Sequence, residues 1–162
     1  MMKSLYFIRH GIAGDPVAGQ DDAGRALTAE GFSKTTQIAH KLRQWGWQWD
    51  VILTSPLLRA HQTAQILHTS GLAPQVEILA ALAPGGDLGA LWAWWQDQPH
   101  LEQVALVGHQ PDLALWLAAC VGGQERAFAL KKAGVAWVEL AALRHGQGYL
   151  RAFVPPKLIL GG

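Results

Sequence analysis

Short runs of branched and aromatic residues alternate with segments of helical periodicity over the first two thirds of the chain, and that alternation leaves few folds open. Ser4 to Ile8, Val51 to Leu53, Val76 to Leu79 and Val104 to Val107 read as strands. Between and after them lie four helical patterns. The first is capped by Thr28, and Phe32, Thr36, Ala39, Leu42 and Trp45 recur at the spacing of one buried face. Ser55-Pro56 opens the second, with Ser55 as cap and Pro56 at the first helical position, running to about Thr69. Leu88 to Gln96, behind a cap at Asp87, is the third, and Pro111 to Cys120 the fourth. Strand and helix in regular succession predict an α/β fold, a mostly parallel sheet covered by helices on both faces in three α/β/α layers. The tail departs from this rhythm. Val135 to Leu140 and Tyr149 to Val154 flank Arg144-His145-Gly146-Gln147-Gly148 and predict an antiparallel hairpin.

At 162 residues, without repeats or low-complexity linkers, residues 1–162 are expected to form one domain. Lys and Arg total 13 against 12 Asp and Glu, so the net charge of +1 gives no electrostatic reason to expect a nucleic-acid partner. The longest apolar run, Leu113 to Val121, is far below the length of a membrane span, and the apolar stretch after Lys3 is broken by Arg9 and His10 before it can serve as a signal segment. The expectation is a cytoplasmic protein without a membrane partner. One cysteine, Cys120, rules out an internal disulfide framework.

In open α/β sheets ligands bind beyond the carboxyl ends of the strands. Three predicted strands end in residues of matching chemistry, in the segments Ile8-Arg9-His10-Gly11, Leu53-Thr54-Ser55-Pro56-Leu57-Leu58-Arg59 and Val107-Gly108-His109. Arginine offers a planar fork of donors that matches phosphate oxygens and stays charged at working pH. A neutral imidazole nitrogen can attack phosphorus, and a second imidazole can donate to a phosphoryl oxygen. Gly11 lets backbone approach an anion, and Pro56 and Pro111, at the starts of helices, are expected to leave free N–H groups pointing the same way.

Leu5 to Gly11, a strand followed by Arg-His-Gly, resembles the signature of the histidine phosphatase superfamily, which includes the phosphoglycerate mutases. Leu27-Thr28-Ala29-Glu30-Gly31 resembles the helix opening of that family, Thr54 to Ala64 its second arginine motif, and Val107-Gly108-His109 its second histidine motif. They stand in the family order and cover roughly the first 120 residues. The resemblance implies a phosphoglycerate mutase-like fold in which His10 is the phosphoryl-accepting nucleophile, while Arg9, Gly11, Arg59 and His109 bind the phosphoryl group. It implies no metal and no other cofactor, since two guanidiniums and an imidazolium supply the positive charge that Mg²⁺ supplies elsewhere.

Within the superfamily the chain is most similar to the SixA-type protein phosphohistidine phosphatases. Only Ala80 to His100 separates the third strand from the next, too little for the capping insertion that carries a glutamate acid in larger members, and Pro84-Gly85-Gly86-Asp87 resembles the short turn of the SixA group. Asp87 is a candidate acid or water-orienting group, though a helix cap accounts for it equally well, and Asp15 is a poorer candidate. An alkoxide leaving group gains about 10²- to 10⁴-fold from a positioned acid. A phosphohistidine ring can be protonated before it departs. The expected activity is therefore hydrolysis of phosphohistidine on a phosphotransfer protein. A small-molecule phosphomonoesterase and a catalytically idle phosphoprotein-binding module are the alternatives. His40, His61, His68, His100 and His145 show no metal-ligand spacing. The eight tryptophans include i, i+2 pairs at 45, 47, 49 and at 92, 94, so some are expected to be exposed.

Overall fold

The computed structural model describes residues 2–161. Six strands form one sheet: β1 Lys3–Arg9, β2 Val51–Thr54, β3 Val76–Ile78, β4 Gln103–Gly108, β5 Val135–Leu140 and β6 Gly148–Val154, in the order β3-β2-β4-β1-β5-β6. β1 to β4 are mutually parallel. β5 pairs antiparallel with β1, and β6 antiparallel with β5. The helices are α1 Ala29–Gln44, α2 Leu58–Thr69, α3 Leu88–Gln96, α4 Asp112–Val121 and the short α5 Pro156–Ile159.

Alternation along the strands divides the core in two, because successive side chains leave opposite faces. Leu5, Phe7, Leu53 and Leu106 pack with Leu91, Trp95 and Leu117 of α3 and α4. Tyr6, Ile8, Ile52 and Val107 pack with Ile38, Leu42 and Leu67 of α1 and α2, and with Ile159 of α5. Strands buried on both faces read as continuous apolar runs, which is why Val-Ile-Leu and Val-Ala-Leu-Val suffice here.

Three expectations need correction. In α1 the buried face is Gly31, Thr35, Ile38, Ala39 and Leu42, whereas Phe32 and Trp45 are exposed. The stripe is rotated about one position because Gly31 must press against the loop after β1, where a Cβ would come within 2.0 Å of the Ile12 carbonyl oxygen. In α2 the cap is Leu57, not Ser55, and Pro56 lies outside the helix. The Ser55 hydroxyl closes a local turn by accepting from Leu57 N–H at 3.2 Å, which delays helical geometry by two residues. Most of the first N–H groups of α4 are also unavailable to an anion. Pro111 is its cap, and after Asp112 N–H the donors are taken: Leu113 N–H by the His109 carbonyl, Ala114 N–H by Gln110 Oε1 and Leu115 N–H by the Pro111 carbonyl.

Only Trp45 among the tryptophans is exposed. Trp92 and Trp95, one helical turn apart, face the core, while Trp47 and Trp49 leave the helix end to pack on Tyr6, with ring centroids 5.1 and 5.4 Å away. No helix of the described residues is long and apolar enough to cross a membrane.

Candidate active site

Strand register alone brings the three loops together. Arg9 is opposite Gly108 in the β1–β4 ladder, and Thr54 is opposite Val107 in the β2–β4 ladder. The ladders continue one step beyond the strands, with His10 N–H donating to the Gly108 carbonyl and Ser55 N–H to the Val107 carbonyl, both at 3.0 Å. His10 and His109 therefore leave adjacent strands at the same level, and their ring centroids are 5.2 Å apart. Both are buried, as is Arg59, which enters from the first turn of α2.

The loop after β1 is fixed by the helix openings around it. Gly11 N–H donates to the Thr63 hydroxyl at 3.0 Å, and that hydroxyl donates to the Arg59 carbonyl at 2.8 Å. Thr28 N–H reaches the Ile12 carbonyl at 2.9 Å, and its hydroxyl caps α1 by accepting from Gly31 N–H at 2.9 Å. Gln62 Oε1 accepts from Leu27 N–H at 2.8 Å. A Cβ on Gly11 would lie 2.4 Å from Thr35 Oγ1, so this position is held to glycine by packing as well as by any need for anion approach. Ala133 closes the other side in a left-handed conformation (φ 62°), its N–H donating to the carbonyls of Arg9 at 2.9 Å and His10 at 3.2 Å.

These contacts decide protonation. His10 Nδ1 lies 2.7 Å from the Gly11 carbonyl oxygen, which can only accept, so Nδ1 carries the proton and Nε2 keeps its lone pair. Burial pushes the His10 pKa down to about 3; the Gly11 bond opposes this, and the charges of His109, Arg59 and Arg9 add to it. His109 is lowered to about 4, first by burial and then by Arg59, against the opposing carboxylates of Asp112 and Asp22. Both rings are neutral at pH 7. His109 Nε2 is 2.8 Å from Ser55 Oγ.

Asp22 and Arg25 complete the arrangement, and neither stands out in the sequence. Arg59 donates to the Asp22 carbonyl at 2.9 Å and to its Oδ2 at 3.0 Å, while Arg25 donates to Asp22 Oδ1 at 3.0 Å and to the Gly14 carbonyl at 2.8 Å. The Arg25 bond first, and then the charge and hydrogen bond of Arg59, hold the Asp22 carboxyl below its ordinary range, against an opposing effect of desolvation. The signal in the sequence is a carboxylate and a guanidinium three residues apart, directly before the Leu27-Thr28 helix opening. Arg9 donates to the Leu130 carbonyl at 3.0 Å, and its pKa is lowered by burial.

Among the described residues, the buried polar atoms without a hydrogen-bond partner include Arg9 Nε, Arg59 Nε and His109 Nδ1. Leaving such groups unpaired is costly. The two guanidinium groups are donors suited to an oxyanion, and His109 Nδ1 joins them in the tautomer whose Nε2 accepts from the Ser55 hydroxyl. Asp87 is at the N-cap of α3 but exposed, and its carboxylate makes no capping bond and no hydrogen bond to His10, Arg9, Arg59 or His109. Asp15 lies on the exposed loop that also holds Asp22. Among the described residues no group of three or more His, Cys, Asp or Glu side chains has the geometry to hold a metal ion.

The family model for the histidine phosphatase superfamily (branch 1) matches residues 5–84, which hold Arg9, His10, the opening of α1 and Arg59. The chain belongs to the histidine phosphatase superfamily. An uncharacterized protein of Picosynechococcus sp. is 44% identical over 163 residues, covering 96% of this chain and 98% of its own. The phosphohistidine phosphatase SixA of Escherichia coli is 28% identical over 123 residues, covering 74% of this chain and 75% of its own. The structure of the protein histidine phosphatase SixA complexed with tungstate superposes with a TM-score of 0.84 at 26% identity, over 96% of this chain and 99% of that one. The mixed six-stranded sheet with helices on both faces is thus the SixA fold, and the superfamily and the solved structure it resembles are named for phosphatases.

Proposed function

We propose that the protein is a phosphohistidine phosphatase acting on a phosphotransfer protein of the histidine-containing type. The observation that carries this reading is the state of Asp22. Its carboxylate is hydrogen-bonded to Arg59 at the crevice, and Arg25 and Arg59 hold it as an anion. A carboxylate so held is a poor donor to an alkoxide, and a phosphohistidine needs no strong acid because its leaving imidazole accepts a proton from solvent. The similarity to SixA supports the same substrate class. Tungstate, which that relative binds, is a tetrahedral oxyanion like the phosphoryl group.

In the first step the lone pair of His10 Nε2 attacks phosphorus in line, the new N–P bond forms, and the N–P bond to the substrate imidazole breaks. The electron pair leaves with that imidazole, which is protonated. Arg9, Arg59 and His109 donate to the equatorial oxygens, where preorganised donors act most strongly. Gly11 holds the proton on Nδ1 throughout, so His10 needs no proton removed before it attacks. In the second step water attacks the phosphohistidine at His10, phosphate leaves, and Nε2 recovers its lone pair.

The test is turnover of a phosphorylated phosphotransfer domain set beside that of an aryl phosphate and a sugar phosphate. The phosphoprotein should be preferred by at least about 10²-fold in kcat/KM, the scale of the missing acid contribution. His10→Ala should lower turnover by about 10³-fold or more, as loss of a nucleophile does. Faster cleavage of the phosphate esters would replace this reading with that of a small-molecule phosphomonoesterase.

A further inference from the structure

A second concavity lies directly behind the nucleophile and plays no part in the chemistry above. It is a cleft of about 800 Å³ between α1, the segment 131–133 and α5. Its wall is apolar, with Ile38 from α1 and Leu158 and Leu160 from the C-terminal turn, and Leu158 is two-thirds exposed. Its rim is basic: Lys34, Lys131, Lys132 and Lys157 all border it and all are exposed. Lys34 pairs with Glu30 at 2.9 Å, whereas Lys131, Lys132 and Lys157 form no ion pair among the described residues. A net charge of +1 makes this concentration unusual, since three cations unpaired among the described residues border one cleft that no carboxylate of the described residues lines.

The cleft is continuous with the catalytic strand. Arg9 and Ile12, which flank His10-Gly11, line it, as do Thr35, which packs against Gly11, and Ala133, which bonds the carbonyls of Arg9 and His10. The buried Thr35 hydroxyl has no hydrogen-bond partner. Whatever occupies the cleft lies against the residues that hold the nucleophile.

We propose that this cleft docks the phosphohistidine-bearing protein itself, through an acidic segment carrying bulky apolar side chains, while its phosphohistidine enters the crevice at His10. The inference rests on the phosphohistidine reading and adds the surface that selects the carrier. Charge complementarity identifies the occupant: carboxylates for the three free lysines, and apolar side chains for the wall between them. Contiguity with Arg9 puts docking and chemistry on the same partner.

The experiment compares wild type with Lys131→Glu/Lys132→Glu/Lys157→Glu and with the corresponding triple alanine variant. Two substrates are used, a phosphorylated histidine-containing phosphotransfer domain and free phosphohistidine. The charge-reversed variant should lose about 30-fold or more in kcat/KM on the protein substrate, chiefly through KM, and the alanine variant about 5- to 10-fold, as expected of rim charges that steer association. The salt dependence of wild type should flatten in both. Free phosphohistidine should be hydrolysed within about two-fold of wild type, since none of the three lysines contacts the reacting groups. Equal losses on both substrates, or none on the protein, would overturn the docking surface and leave the phosphohistidine reading standing. Failure of wild type to hydrolyse either substrate would remove that reading and this inference together.

Discussion

At the scale of the residue, one carbonyl oxygen does much of the chemistry's preparation. By accepting from Nδ1, Gly11 selects the tautomer in which His10 Nε2 is nucleophilic, and burial keeps that ring uncharged far below neutrality. Asp22 plays the opposite part, placing a negative group on the guanidinium that would bind the phosphoryl oxygens. Asp22→Asn should therefore tighten binding of inorganic phosphate or tungstate several-fold, because a neutral amide competes less well than a carboxylate for Arg59 and no longer repels the anion. The inhibition constant for phosphate measures this directly. A weaker constant would mean that orientation of Arg59, rather than competition for it, is what Asp22 supplies. The four central residues are legible in the sequence because each ends a strand or begins a helix in a recognisable motif. Asp22 and Arg25 are not, since their loop has no periodicity and their role emerges only when Arg59 arrives from a helix 37 residues further along.

At the scale of the element, motifs that look separate in the sequence prove to be one joint. Thr28 caps α1 and receives the loop after β1, Gly31 lets the helix lie against Ile12, and Gln62 and Thr63 of α2 hold Leu27 and Gly11. Gly31→Ala should cost about 1–3 kcal/mol, the range for overpacking a tight contact, because its Cβ would meet backbone that cannot turn aside. A urea titration would register the loss as a lower midpoint at unchanged slope. Periodicity and caps suffice to place most helices and strands. They do not suffice for the face of α1 or the start of α2: the Ile12 carbonyl, distant in sequence, displaces the apolar stripe of α1, and the Ser55 hydroxyl, which also meets His109, closes a turn onto Leu57 N–H instead of capping α2. Asp87 shows the converse, since a cap position visible in the sequence forms no capping bond in the fold.

At the scale of the whole molecule, the buried imidazoles tie stability to pH. His10 and His109 have native pKa values of about 3 and about 4, below the ordinary 6.5, so the native state resists protonation that the unfolded chain accepts. Their neutral burial carries no penalty above pH 6.5. As pH falls from there toward 4 the unfolded chain gains protons that the native state does not, and stability drops by up to about 1.4 kcal/mol per pH unit for each ring. The urea midpoint at pH 5 should thus lie well below that at pH 7.5, and His109→Asn should roughly halve the slope between them. The order of the sheet has a different consequence, for the time course of assembly. β4 is inserted between β1 and β2, which precede it in the chain, and it delivers His109 to the side of His10 across 99 positions of sequence. Pairings of such long separation are slow to form. His10 and His109 meet only when that last parallel strand is seated, so recovery of activity during refolding should report closure of the central sheet and lag behind the appearance of helix.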